Sequence, residues 1–220
     1  VGPEDWLRQE KLGIDGLFTC FGLHPWWVAE HDEEACEAAL VLLEEMLPRA
    51  WGLGELGLDF LPRFSKSSFP RQRDFFIRQL ALAARTEKPI VLHIVRGHGE
   101  APDMIAKAGE FKGLVHGFSG SYETAKRYLD LGLLLSVGGN VTREGYGKLK
   151  NAISRLPISQ IIIESDAPDM VPVGFQQAFN EPVSLSITAE AVGALMGISP
   201  WRVLEQSREN LTRYFGMELK

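Results

Sequence analysis

Six short apolar runs, each followed by a helical pattern, constrain this chain more than any other feature of its sequence. The strand candidates are residues 17–23, 51–60, 89–95, 113–118, 133–137 and 161–165. The helices that follow them are residues 32–47, 70–86, 101–108, 122–131, 146–156 and 185–196, with further helices at 3–12 and 200–215. Strict alternation of this kind predicts a parallel sheet of the α/β class. No Gly-x-Gly-x-x-Gly turn follows the first strand, which argues against a dinucleotide-binding fold. A TIM-like (β/α)₈ barrel, of about 250 residues, is the better expectation. Six strands are two too few for it, and the 220-residue chain opens V-G-P-E-D-W without an initiator Met. The expectation is therefore a single domain over residues 1–220 whose N-terminal βα units are missing from this chain.

The run Ile161-Ile162-Ile163 suits a strand buried on both faces, and it stops at two carboxylates, Glu164 and Asp166. Side chains alternate along a strand, so both carboxylates are expected to leave it on one side. Other strands end in the same way. Glu55 follows W-G-L-G, His93 follows I-V-L, and His116 follows L-V. One buried histidine is most often held by hydrogen bonds within a core. Four metal-type ligands, each at or near the C-terminal end of a strand in a βα series, point to a site, because in a barrel those ends gather at one mouth. Two imidazoles and two carboxylates suit one or two divalent ions, Zn²⁺ or Mn²⁺ more readily than Mg²⁺. Such an ion lowers the pKa of bound water and polarises a phosphoryl or carbonyl oxygen, and Asp166 could serve as base for that water.

The totals exclude several classes. With 23 basic and 29 acidic residues the formal charge is −6, so no chain-wide cationic surface draws it to nucleic acid or to an anionic membrane. No apolar run reaches about eighteen residues, so no membrane partner is expected, and no obligate protein partner is evident. The two cysteines, Cys20 and Cys36, form no C-x-x-C, which fits a cytoplasmic setting and a packing role for both thiols. Residues 167–183 form an irregular loop, long enough to suggest function.

Five ordered motifs carry a resemblance: G-L-H-P at residues 22–25, G-E-L-G-L-D at 54–59, P-I-V-L-H at 89–93, V-H-G-F-S-G-S at 115–121 and E-S-D-A-P at 164–168. Together they are similar to the TatD family of metal-dependent deoxyribonucleases, from about residue 3 to 215. Residues 174–176, G-F-Q, and 180–182, N-E-P, look like the same family's last loop. The resemblance implies a (β/α)₈ barrel, hydrolysis of DNA phosphodiester bonds, and one or two bound divalent ions. By motif, Glu55 would bridge the metals, His93 and His116 would complete one site, and Asp166 would serve the other and the attacking water. His24, Arg96 and His98 are the substrate-contacting candidates, and Glu164 is expected to orient its neighbours.

This sequence departs from the family pattern in three places. No H-x-H pair precedes Glu55; Val95 stands where an arginine is common, with Arg96 next to it; and Gly117 stands where cysteine is common. Asp59 reads as steadying its loop, and Trp26 and Trp27 as packing at the barrel rim, with base stacking the alternative. Two other readings remain open at this point. One is an amidohydrolase-like hydrolase of C–N or ester bonds; the other is a family member with impaired catalysis that acts as a binding component.

Overall fold

The computed structural model describes residues 1–12, 14 and 16–216. Its elements in chain order are α1 (Pro3–Leu12), β1 (Cys20–Phe21), α2 (Pro25–Glu30), α3 (Glu33–Met46), β2 (Gly52–Asp59), α4 (Phe69–Thr86), β3 (Ile90–Val95), α5 (Ala101–Ala108), β4 (Gly113–His116), α6 (Tyr122–Leu129), β5 (Leu134–Val137), α7 (Gly147–Ile153), β6 (Ile161–Ile163), α8 (Leu185–Met196) and α9 (Pro200–Phe215). They fall into two compact units divided within β4, one before residue 115 and one from residue 115 to residue 216.

In the first unit β1, β2 and β3 lie side by side and parallel, with Cys20 opposite Gly52 and Leu53 opposite Ile90. Helix α4 covers β2 with Phe75, Phe76, Leu80 and Ala83, all buried. Those residues recur at helical spacing, so a single apolar stripe meets the sheet. Asp32 caps α3 by accepting from the Ala35 amide at 2.8 Å, which ends the loop from α2 and starts the helix.

Strand β2 has one irregularity that matters for function. Its register against β3 passes from Gly54 opposite Val91 to Leu56 opposite Leu92, so Glu55 is an extra residue with no Cα partner. Such a bulge re-aims a side chain out of the pleat. Two residues on from Glu55, Gly57 has φ +149°, and a Cβ there would lie 2.0 Å from the His93 carbonyl oxygen. Only glycine allows the two strands to approach this closely beside His93.

In the second unit β4, β5 and β6 follow in order, and β5 and β6 are parallel with Ser136 opposite Ile162. Helix α9 attends to the backbone of β6. Ser207 Oγ accepts from the Ile163 amide at 3.1 Å, and Asn210 Nδ2 donates to the Ile161 carbonyl at 2.7 Å. Strand groups that would otherwise be left open are thereby satisfied by buried side chains.

The strands are shorter than their apolar runs predict: residues 17–23 reduce to Cys20–Phe21, and residues 161–165 to Ile161–Ile163. The second difference corrects the alternation argument. Glu164 and Asp166 both lie beyond β6, and Asp166 has φ +56°, so strand periodicity does not set their directions. A further helix, α2, starts at Pro25 directly after His24.

Candidate functional site

In the first unit His24, Glu55 and His93 come together, with one potential ligand atom from each lying within 4.8 Å of the other two. His24 is the N-cap of α2, and its Nδ1 accepts from the Trp26 amide at 3.1 Å. In the neutral ring that leaves the proton on Nε2, which points at Glu55 Oε2 3.3 Å away. Burial lowers the His24 pKa to about 4, against the opposing pull of the Glu55 hydrogen bond, so the ring is neutral near pH 7.

His93 is held from the other side. Asp59, fully buried at the end of β2, lies with Oδ2 3.3 Å from His93 Nε2. The same oxygen accepts from the Trp26 indole at 2.5 Å, and Oδ1 accepts from the Leu61 amide at 2.9 Å. Burial opposes ionisation of Asp59, but the hydrogen bonds from His93, Trp26 and Leu61 outweigh it and lower its pKa. An ionised Asp59 accepts only, so His93 carries its proton on Nε2. The unprotonated Nδ1 then faces Glu55 Oε2 at 3.5 Å.

The second unit repeats this design with the ring reversed. Glu164 Oε2 lies 2.8 Å from His116 Nδ1, and Oε1 accepts from the Gly117 amide at 2.6 Å. His116 Nε2 faces Asp166 Oδ1 at 3.3 Å. With Nδ1 protonated against Glu164, Nε2 carries the lone pair. In each unit, therefore, one carboxylate fixes the tautomer of a histidine and the opposite ring nitrogen meets a second carboxylate. A ring nitrogen and a carboxylate oxygen so placed are donors of the kind that hold a divalent ion, and a carboxylate behind each imidazole is the usual arrangement at metal ligands.

The loop that carries Asp166 is fixed by Asn180, which is buried. Its Nδ2 donates to the Ser165 and Asp169 carbonyls at 2.5 and 2.7 Å, and its Oδ1 accepts from the Ser184 hydroxyl at 2.6 Å. The 3-10 turn Pro182–Ser184 then leads into α8. The N-E-P motif thus acts by closing the loop after β6 rather than through its own chemistry.

The remaining candidates are placed as follows. Arg96 stands just past β3, exposed, with φ +56°, so it has left the strand and its alternation. His98 is half-buried, and burial lowers its pKa to about 4. Burial raises the Cys20 thiol to about 12 and the Cys36 thiol to about 11, which removes thiolate chemistry near neutral pH. Spacing gave Asp59 a loop-steadying role and missed its hold on His93; the G-L-D segment after Glu55 was the available signal.

Parallel strands alternating with helices, and imidazole–carboxylate donor sets within or just beyond the strands, define a metal-dependent hydrolase of the α/β, TIM-barrel type. The family model described as TatD related DNase matches residues 3–216, and the chain belongs to that family. It is 33% identical over 215 residues to an uncharacterized metal-dependent hydrolase of Haemophilus influenzae, covering 94% of this chain and 80% of that protein. It is 30% identical over 207 residues to the deoxyribonuclease TATDN3 of Homo sapiens, covering 90% of this chain and 74% of that one. The crystal structure of YjjV, a TatD homologue from Escherichia coli K12, superposes with a TM-score of 0.86 at 28% identity, covering 99% of this chain and 84% of that chain.

Proposed function

We propose that this TatD-family hydrolase cleaves phosphodiester bonds in DNA with the help of one or two divalent ions. The observation that carries the reading is the pair of clamped histidines: His93 turned by Asp59 toward Glu55, and His116 turned by Glu164 toward Asp166. The name of the human relative, a deoxyribonuclease, supports DNA as the substrate.

Glu55 Oε2 and His93 Nδ1 are the donors for an ion in the first unit, and His116 Nε2 with Asp166 Oδ1 are those in the second. Their oxygen and nitrogen chemistry fits Zn²⁺ or Mn²⁺, and Mg²⁺ less well. A bound ion supplies a more acidic water and a polarised phosphoryl oxygen. The chain does the rest. Asp166, held beyond β6 by the Asn180 loop, accepts the proton of the attacking water. His24, neutral with its proton on Nε2, donates a hydrogen bond, to Glu55 at rest and to a phosphate oxygen when substrate is present. Asp59 and Glu164 keep the two imidazoles from turning, so neither ring must reorganise during the reaction.

The test compares a labelled single-stranded oligonucleotide with small amides and lactones, each with Mg²⁺, Mn²⁺ or Zn²⁺ and with EDTA. Oligonucleotide cleavage that depends on added metal supports the reading. Turnover of amides or lactones without DNA cleavage would replace it with C–N or ester hydrolysis.

A further inference from the structure

Between β2 and α4 the chain turns sharply basic. Residues 60–73, F-L-P-R-F-S-K-S-S-F-P-R-Q-R, hold four cations and no acidic residue in a chain whose formal charge is −6. Two of the four are used internally. Arg71 donates to the Val28 carbonyl at 2.9 Å, and Arg73 pairs with Glu100 at 2.6 Å. The other two, Arg63 and Lys66, are exposed.

Arg63 is not a loose surface side chain. Its guanidinium carbon lies 4.1 Å from the centroid of the Trp26 ring and 4.7 Å from that of Phe64, and Nη2 is 3.6 Å from Asp59 Oδ2. Trp26 is itself fixed, because its indole donates to Asp59 and its ring packs edge-on against His24 at 4.7 Å and His93 at 5.7 Å. A planar cation held against aromatic faces keeps its outer N–H groups set for an oxyanion and loses little freedom on binding. The side chain is still 51% exposed. Trp26 thus has His24 and His93 against its ring and Arg63 over it.

We propose that Arg63, stacked on Trp26 and Phe64, forms a shelf that grips the backbone of single-stranded DNA at a phosphate flanking the one to be cleaved. Lys66, three residues on, adds charge to the same strand path. Interleaved basic and aromatic side chains are the usual means of holding a single strand without reading its sequence. The inference rests on DNA as the substrate and adds where the strand runs. It also gives Trp26 a role as the platform for a cation rather than as a stacking surface for bases.

The closing experiment measures binding apart from cleavage. Fluorescence anisotropy of a labelled single-stranded 12-mer, recorded in EDTA over a range of salt concentrations, compares wild type with Arg63→Gln, Arg63→Lys and Arg85→Gln. Arg85 lies on α4 in an exposed pair with Glu44, so its variant makes the same charge change away from the shelf. Arg63→Gln is expected to weaken binding about tenfold and to lower the salt slope by about 0.7, the loss of one phosphate contact to a single strand. Arg63→Lys should fall between, and Arg85→Gln should match wild type in slope. With metal restored, Arg63→Gln should raise KM for the oligonucleotide with kcat within about twofold, as expected for lost uniform binding. Equal affinity and slope for wild type and Arg63→Gln, with unchanged melting temperature, overturn the shelf. If wild type shows metal-dependent cleavage and the shelf fails, the nuclease reading stands; if Arg63-dependent binding occurs without cleavage, the nuclease reading fails.

Discussion

Glu164 Oε2 and His116 Nδ1 lie 2.8 Å apart in the candidate site of the second unit. The contact decides which nitrogen of His116 is available. Glu164→Gln keeps the shape, but its single amide oxygen cannot accept from both His116 Nδ1 and the Gly117 amide, and it removes the charge that favours that tautomer. It should weaken metal affinity about 10- to 100-fold and cost about 1–3 kcal/mol of stability through the unmatched donor. Titration with Mn²⁺ or Zn²⁺, set beside a melting curve, checks both halves.

Asp59 is the counterpart in the first unit, and it also has a structural load. Asp59→Ala leaves the Trp26 indole, the Leu61 amide and His93 Nε2 without their acceptor in a fully buried place. Each orphaned buried group costs about 1–3 kcal/mol, so the variant should lose roughly 3–5 kcal/mol after partial relaxation. Urea unfolding of the metal-free protein measures this loss. Asp59→Asn should lose less stability, because a side-chain oxygen can still accept from Trp26.

Asn180 links the carboxylate loop to α8 through four hydrogen bonds, counting the one that its Oδ1 accepts from the Glu181 amide at 2.9 Å. Asn180→Ala should destabilise the protein by about 2–4 kcal/mol and lower kcat by roughly tenfold or more through misplacement of Asp166. A variant that melts early but turns over substrate normally at low temperature would separate the loop's stability from the position of Asp166.

His98 sets a pH dependence whose sign can be worked out. Burial holds its folded pKa near 4, below the ordinary 6.5. The unfolded chain takes up a proton as the pH falls below about 6.5, whereas the folded chain resists until about 4. The stability contribution is therefore complete above pH 6.5 and is lost as the pH falls from 6.5 to 4. At pH 5 the loss is on the order of 1–2 kcal/mol. Urea midpoints at pH 7 and pH 5 should differ by more in wild type than in His98→Asn, and equal differences would refute the assignment.

The helices were legible because their signals are local. The apolar stripe of α4, for example, has the right period over its 18 residues. Helix α2 escaped because its six residues are too few for a period, although His24-Pro25 is a start signal. The ends of β1 and β6 were overestimated because an apolar run says where a chain is buried, not where its ladder stops. Glu55, His93, His116 and Asp166 could be picked by residue type and place. What spacing could not carry is which neighbour fixes each imidazole. Asp59 meets Trp26 across 33 positions, and His116 meets Glu164 across 48. Such pairings are set by the tertiary fold, which brings together residues far apart in the chain.

The most direct measurement is the rate of metal-dependent cleavage of a single-stranded oligonucleotide by wild type, Glu55→Gln and Asp166→Asn, with bound metal determined on the same samples. Loss of one ligand or of the base is expected to slow cleavage by about 100-fold or more in either variant, with metal content falling in at least Glu55→Gln. Cleavage at the wild-type rate by both variants, with metal content unchanged, would contradict the account.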